Sequence, residues 1–139
     1  MKIGFFELEG WEEPIIKELL PDDELFFSKD KIFPEMLSEK NDFDIVSVFV
    51  NSKMDAKSLG YFPNLKMIST RSTGYDHLDL DYCAQKGIAP VFVPGYGNNT
   101  VAEYAFGLLL NLTSKMYMSI DQLKETGSFN LSGMRGIDL

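Results

Sequence analysis

Two short apolar segments in the middle of the chain each end in a glycine-rich turn, and each turn leads into a helical pattern. Residues 65–70 (LKMIST) lead into the turn at 71–74 (RSTG). Residues 88–93 (IAPVFV) lead into the turn at 94–99 (PGYGNN). In an open α/β sheet, ligands bind beyond the carboxyl ends of the strands, where such turns expose backbone N–H groups. We therefore expect both turns at one edge of the same sheet.

Segments typical of strands alternate with segments typical of helices along most of the chain. Residues 44–50 (DIVSVFV) are almost continuously apolar, as expected for a strand that is covered on both faces. Pro90 cannot donate a ladder hydrogen bond, so the strand that contains it should lie at a sheet edge. The alternation predicts the α/β class, with a doubly wound parallel sheet of about five strands. The predicted strands cover residues 2–8, 24–28, 44–50, 65–70 and 88–93.

Helices are expected between these strands. Pro21 ends a helical pattern that spans residues 11–20. A polar helix is expected at residues 34–40. Asp79 can cap a further helix, and that helix should end at Gly87, because glycine readily adopts the left-handed conformation found at helix ends.

The segment from Thr100 to about Met118 has helical periodicity but is too apolar for an ordinary surface helix. Its polar positions fall within roughly one third of the helix circumference. They are Glu103, Asn111, Ser114 and Lys115. A helix that is apolar over most of its surface has to be covered from more than one side. We therefore expect another domain or another subunit against it, and we predict a homodimer through residues 100–118. A polar helix near residues 121–126 follows.

Charge and composition exclude several classes of partner. The net charge of −8 opposes nucleic acid and anionic membranes as partners, because both need a positive surface. The apolar run at the N-terminus meets Glu7 early and is too short for a signal peptide. The longest apolar run is interrupted by Glu103 and Asn111, so no membrane span is expected. A single cysteine, Cys83, implies no intrachain disulfide and no metal cluster, and it predicts a cytoplasmic location.

His77 is the only histidine in the sequence. It could act as a general base beside Asp76, Asp79 and Asp81. It could instead be a turn residue whose acidic neighbours are helix caps and solvated charges. We favour the turn residue, because a histidine beside capping side chains is common.

The two glycine-rich turns differ in what they could bind. Residues 95–100 (GYGNNT) follow a strand and open a helix, which is the context of a dinucleotide-binding turn. Thr100 replaces the third glycine of that fingerprint, so we expect it to cap the helix rather than to border a pyrophosphate. At Thr73 and Gly74, outward-facing N–H groups could hold a carboxylate, although a tight turn without a ligand explains these residues equally well. Tyr96 lies between two glycines and is the tyrosine best placed for a ligand contact.

Two motifs carry a family resemblance. Residues 71–79 (RSTGYDHLD) and 93–103 (VPGYGNNTVAE) resemble the D-isomer-specific 2-hydroxyacid dehydrogenases in order and spacing. Members of that family are usually NAD-dependent and interconvert 2-keto acids and D-2-hydroxy acids. By this resemblance, residues 1–99 are a flavodoxin-like substrate-binding (catalytic) domain. Residues 100–126 would be crossover helices toward an absent nucleotide-binding domain, and residues 127–139 a tail.

The resemblance also implies roles for individual residues. The backbone N–H groups of Thr73 and Gly74 would bind the carboxylate of a small 2-keto or 2-hydroxy acid. Tyr96 would line the same pocket, and Thr100 would lie near the nicotinamide. The loop near residues 50–53, together with the turn at Tyr75, would determine which 2-keto or 2-hydroxy acid is the substrate.

The departures from the family pattern are equally informative. The family's catalytic arginine, glutamate and histidine match no position of this chain, and neither Arg71 nor His77 takes one of those roles. No catalytic residue and no metal ligand is therefore expected. NAD would bind the full-length parent but not this chain, which should be inactive by itself because hydride transfer needs a bound nicotinamide and a proton donor.

Three functional hypotheses remain open at this point. The leading one is an excised substrate domain of an NAD-dependent D-2-hydroxyacid dehydrogenase. The second is a non-enzymatic, flavodoxin-like binding or regulatory module. The third is one chain of a split dehydrogenase that a separate nucleotide-binding chain completes. An in-frame G-x-G-x-x-G downstream of codon 139 would favour the first, and a stop codon would favour the others.

Overall fold

A computed structural model describes residues 1–37 and 39–139 of the chain. The chain divides into two compact units, Met1–Gly95 and Tyr96–Leu139. The family resemblance implied a boundary after residue 99, and that boundary stays a prediction. The first helix of the second unit begins at Asn98.

The first unit contains one sheet of five parallel strands, which confirms the predicted α/β class. The strands are β1 (Lys2–Phe5), β2 (Glu24–Phe27), β3 (Ile45–Val48), β4 (Met67–Thr70) and β5 (Ala89–Val91). Their order in the sheet is β2-β1-β3-β4-β5, the order of flavodoxin-like folds. The last strand lies at the edge of the sheet, as expected for a strand that contains Pro90.

Three α-helices connect these strands. They are α1 (Glu12–Leu19), α2 (Ala56–Leu59) and α3 (Leu80–Lys86). The helix predicted at 34–40 is instead a short 3₁₀ turn over Pro34–Met36, and Ser38 lies outside the described residues. A sequence this rich in polar residues forms no apolar face that would hold a longer helix against the sheet.

Capping of α3 follows the sequence prediction. The Asp79 carboxylate accepts a hydrogen bond from the backbone N–H of Tyr82 at 2.9 Å, and Gly87 ends the helix with φ 69°. We expect Asp79→Ala to lower the free energy of unfolding by about 1 kcal/mol, because it leaves a helix N–H without its acceptor. Urea unfolding measures this loss. Asp81→Ala, which removes an exposed carboxylate from the first turn of the same helix, is the matched control and should change stability less.

The hydrophobic core belongs to the first unit and lies around the neighbouring strands β3 and β4. Val46 of β3 and Ile68 of β4 are opposite each other in the parallel register, and both are fully buried. Met54, Leu59 and Cys83 are also fully buried in the same cluster. The carboxyl edge of the sheet is therefore built on a rigid base.

The second unit consists of α4 (Asn98–Thr113) and α5 (Met116–Thr126), followed by an irregular tail. The single helix predicted over residues 100–118 is therefore wrong. The helix is interrupted at Lys115, which has a left-handed φ of 53°. The Asn111 side chain accepts a hydrogen bond from the N–H of Tyr117, which holds the chain in this corner. None of the residues 96–139 is buried.

Candidate functional site

The turn after β4 lies beside Val93, which follows β5, at the carboxyl edge of the sheet. The N–H of Val93 donates to the carbonyl oxygen of Ser72 at 3.1 Å. The Thr73 hydroxyl donates to the carbonyl oxygen of Val93 at 2.9 Å. Because β4 and β5 are parallel neighbours, both chains leave the sheet at the same end. These bonds show that the segments leading out of β4 and β5 begin at one edge of the sheet.

The first of these turns leaves two backbone donors available. The hydrogen bonds among residues 1–37 and 39–139 use neither the N–H of Thr73 nor that of Gly74. The Ser72 hydroxyl donates to the carbonyl oxygen of Gly74 at 2.7 Å, which braces the turn from within. Thr73 and Gly74 are exposed, so solvent or a ligand can satisfy their donors. The turn can therefore accept a small anion.

Tyr96 and Thr100, the other two predicted ligand contacts, belong to the second unit. Both are exposed there. Thr100 does not cap α4 as expected, because the helix starts at Asn98 and Gly97 occupies the cap position without a side-chain bond. Participation of Tyr96 and Thr100 in a common site with the turn after β4 stays a prediction.

Arg71 connects the ends of three elements of the first unit. One terminal nitrogen, Nη2, donates to the carbonyl oxygens of Phe6 and Glu7, both at 2.9 Å. The other, Nη1, donates to the Ser47 hydroxyl at 3.1 Å, and Nε lies 3.4 Å from a carboxylate oxygen of Glu12. Burial lowers the pKa of Arg71 and the nearby carboxylates oppose this, but an arginine remains protonated. The guanidinium is thus engaged inside the fold.

Glu7 is a functional candidate that the sequence did not reveal. Its carboxylate accepts hydrogen bonds from the backbone N–H groups of Phe49 (3.1 Å), Asn51 (2.9 Å) and Ser52 (2.9 Å) and from the Ser52 hydroxyl (2.5 Å). Desolvation alone would raise the pKa of Glu7, but these hydrogen bonds outweigh it, so the pKa lies below its ordinary value. The partners are 42 to 45 positions away in the sequence, so no local pattern could have indicated the contact.

His77 participates in the fold through its backbone. Its carbonyl oxygen accepts a hydrogen bond from the N–H of Met54 at 2.9 Å, and the N–H of Asp79 donates to the carbonyl of Met54 at 3.0 Å. The Nε2 atom of the ring is buried and has no partner among the described residues. Burial lowers the pKa of His77, with the charges of Glu7 and Asp76 opposing, which favours a neutral ring at pH 7.

Tyr75 lies beside the edge strand. Its ring packs against that of Phe92 with centroids 5.1 Å apart. The two rings border an apolar groove of about 210 Å³. The remaining lining residues are Leu78, Leu80, Pro90 and Val91.

Neither a metal-binding cluster nor a helix suited to crossing a membrane is found in the described ranges. In residues 1–37 and 39–139, no group of three or more His, Cys, Asp and Glu side chains is placed to hold a metal ion. In the same residues, no helix combines the length and the apolar character that crossing a bilayer requires.

The parallel sheet and its strand order define a flavodoxin-like α/β fold. Residues 11–130 match the family described as D-isomer specific 2-hydroxyacid dehydrogenase, catalytic domain. The chain belongs to this family.

Individual relatives agree with this assignment. The chain is 36% identical to 2-hydroxyacid dehydrogenase homolog 1 of Schizosaccharomyces pombe over its whole length and 43% of that protein. It is 34% identical to a glyoxylate reductase of Thermofilum pendens, over 69% of the chain and 28% of the relative. Among solved structures, D-lactate dehydrogenase from Aquifex aeolicus in complex with NAD and lactic acid superposes with a TM-score of 0.86 and 31% identity. That match covers 99% of this chain and 41% of the Aquifex protein. The chain thus spans less than half the length of these relatives.

Proposed function

We propose that this chain is the substrate-binding part of an NAD-dependent oxidoreductase that interconverts 2-keto acids and D-2-hydroxy acids. The observation that carries the proposal is the braced turn after β4, in which the N–H groups of Thr73 and Gly74 have no hydrogen-bond partner among residues 1–37 and 39–139. Membership in the dehydrogenase family supports it. The turn would bind the substrate carboxylate through charge-assisted hydrogen bonds.

The role of this chain in the reaction is to hold and orient the acid. A turn fixed in advance loses little conformational freedom on binding, so two backbone donors are enough to position a carboxylate. Tyr96 would contribute a wall of the pocket and Thr100 would lie near the nicotinamide. NAD, when bound to the full-length protein, supplies the hydride. We assign no catalytic acid, base or carbonyl-polarising cation to this chain, and we expect it to be inactive alone.

The glycine-rich turn at residues 95–100 departs from the dinucleotide-binding fingerprint. Thr100 stands where the fingerprint needs a third glycine, and α4 and α5 follow that turn where a βαβ unit would bring a further strand with an acidic residue. NAD binding is therefore assigned to a region outside this chain. The buried, unpaired thiol of Cys83 suits a reducing environment, and a cytoplasmic location is part of the proposal.

The second unit supports the proposal that this chain has a partner. The apolar side chains of α4 include Val101, Tyr104, Phe106, Leu108, Leu109 and Leu112, and all of them are exposed. Exposure of a contiguous apolar surface of this extent to water is unfavourable. We propose that α4 and the start of α5 form a homodimer interface, with the nucleotide-binding region covering what the dimer leaves open.

A matched pair of variants at Gly74 tests the substrate site. Gly74→Pro removes one N–H donor, whereas Gly74→Ala keeps it, and a methyl group at this position meets only a carboxylate oxygen of Asp76, at 4.0 Å. We expect pyruvate to shift the amide resonances of Thr73 and Gly74 in the unmodified chain with weak affinity. The alanine variant should bind nearly as well, and the proline variant about tenfold or more weakly. Urea unfolding checks that both variants are folded.

Equal pyruvate affinity of the two variants would show that the carboxylate does not bind at this turn. Tight binding of NADH by the chain alone, measured by nicotinamide fluorescence, would contradict the assignment of NAD to another region. Binding of an unrelated small acid in preference to any 2-keto acid would favour the non-enzymatic module instead.

A further inference from the structure

We propose that Glu7 is a positioning residue for the substrate site, because its carboxylate fixes the shape of the loop after β3, residues 49–54. This inference rests on the proposed function, which gives that loop a ligand to face. Glu7 follows β1, and the loop follows the neighbouring strand β3, so both lie at the carboxyl edge of the sheet.

The backbone of Glu7 is held in an unfavourable conformation. Its φ is 57°, in the left-handed region that residues other than glycine adopt only at an energetic cost. Bonds at both ends of the residue maintain it. The N–H donates to the carbonyl oxygen of Asp30 at 3.1 Å, and the carbonyl oxygen accepts from the Arg71 guanidinium at 2.9 Å. Backbone strain that the surrounding hydrogen bonds maintain is typical of functional sites, so we infer that the Glu7 side chain has a specific role.

The role of the Glu7 carboxylate is to hold the loop after β3. Oxygen Oε1 accepts from the N–H groups of Phe49 and Ser52 and from the Ser52 hydroxyl, and Oε2 accepts from the N–H of Asn51. The Ser52 hydroxyl oxygen also accepts from the N–H of Ile32 at 2.9 Å, which joins the loop after β2 to the same cluster. The Glu7 carboxylate thus supplies the hydrogen-bond acceptors that the N–H groups of an irregular loop do not find in a helix or a sheet.

The loop that Glu7 holds has both buried and exposed side chains. Ser52 and Met54 are buried anchors, whereas Val50, Asn51 and Lys53 are exposed. Order at these exposed positions adds no buried apolar area. It does fix the backbone that carries these three side chains at the carboxyl edge of the sheet, and a preorganised surface loses less conformational entropy when a ligand binds.

The ordered loop is also joined to the segment that follows the anion-binding turn. Met54 and Leu78 form an isolated parallel bridge, in which the N–H of Met54 donates to the carbonyl oxygen of His77. Displacement of the loop would therefore reach the end of the motif that contains Thr73 and Gly74. This connection gives Glu7 an influence on the substrate site without direct contact.

Two substitutions in the 139-residue chain test the proposal. Glu7→Gln keeps the length of the side chain but replaces one acceptor oxygen by a donor. Glu7→Gly removes the carboxylate and relieves the backbone strain, since glycine adopts the left-handed region freely, so this variant should fold. Glu9→Gln, which removes an exposed carboxylate two residues along the chain, is the control.

The readouts are amide hydrogen exchange at Phe49, Asn51 and Ser52 without ligand, and the dissociation constant of pyruvate from NMR titration. We expect Glu7→Gly to accelerate exchange at these three amides about a hundredfold and to weaken pyruvate binding about tenfold, with Glu7→Gln between it and the unmodified chain. The Glu9→Gln control should match the unmodified chain in both. The urea unfolding midpoint, measured in parallel, separates a loop effect from general destabilisation.

Unchanged exchange at the three amides in Glu7→Gly would overturn the proposal directly. Accelerated exchange with unchanged pyruvate affinity would leave Glu7 a structural residue only and would also overturn it. If the unmodified chain binds no 2-keto acid, the proposed function fails, and the positioning role fails with it. The exchange experiment needs no ligand, so it would still show whether Glu7 orders the loop, and the two failures are distinguishable.

Discussion

Replacing Leu108 and Leu112 together by glutamate is expected to convert a dimer of this chain into a monomer. The two residues are one helical turn apart on α4 and lie on the same face. They are 48% and 64% exposed in the single chain. Burying two leucines in an interface stabilises it by roughly 3 kcal/mol or more, and two charges in their place would also have to be desolvated. The dissociation constant should therefore rise at least about a hundredfold.

Sedimentation velocity at micromolar concentration measures this change. The chain offers a closely matched control in Ile15→Glu with Leu19→Glu, because these residues are also one turn apart and are 48% and 72% exposed, but on α1. The control pair should leave the dimer intact. A monomeric unmodified chain, or equal dissociation by both double variants, would refute an interface at α4.

Replacing Arg71 by methionine is expected to cost about 3 kcal/mol of unfolding free energy. Methionine fills a similar volume but leaves the carbonyl oxygens of Phe6 and Glu7 without their shared donor, and it leaves the Glu12 carboxylate without its partner cation. Hydrogen bonds to a charged group contribute more than neutral ones, and breaking a partly buried ion pair leaves a charge uncompensated.

Arg71→Lys should recover only part of the lost stability, because an ammonium group cannot reproduce the planar fork that reaches several acceptors at once. Urea unfolding measures both variants. Lys66→Met is the control, since it removes an exposed cation that pairs with Asp44 at 2.6 Å, and such surface pairs contribute little. A loss at Arg71 no larger than the loss at Lys66 would show that the guanidinium does not hold the ends of these strands.

Much of the first unit was predictable because its determinants are local. Apolar runs of β-branched residues fit strands that are buried on both faces, and the proline at position 90 restricted its strand to the edge. Asp79 and Gly87 marked the two ends of α3, since a cap and a left-handed stop depend on only a few consecutive residues. The exit of β4 and β5 at the same end of the sheet followed from their parallel arrangement.

Other features could not be inferred, because they depend on residues that only the fold brings together. The interruption of the long helix at Lys115 depends on a bond from the N–H of Tyr117 to Asn111, and helical periodicity continues through that point in the sequence. The hydrogen bonds of Glu7 join the ends of β1 and β3 across more than forty positions. Glu7 showed no pattern of a functional residue, since an acid after a strand is ordinary.

The sequence by itself determined the class of the fold, the direction of the strands and the positions of the two glycine-rich turns, because periodicity, proline and glycine act on their immediate neighbours. Only the tertiary structure decided which side chains hold the ends of the strands beside those turns. A half-buried carboxylate or guanidinium is stable only where distant backbone groups supply its hydrogen bonds, and the packing of the strands alone brings those groups within reach.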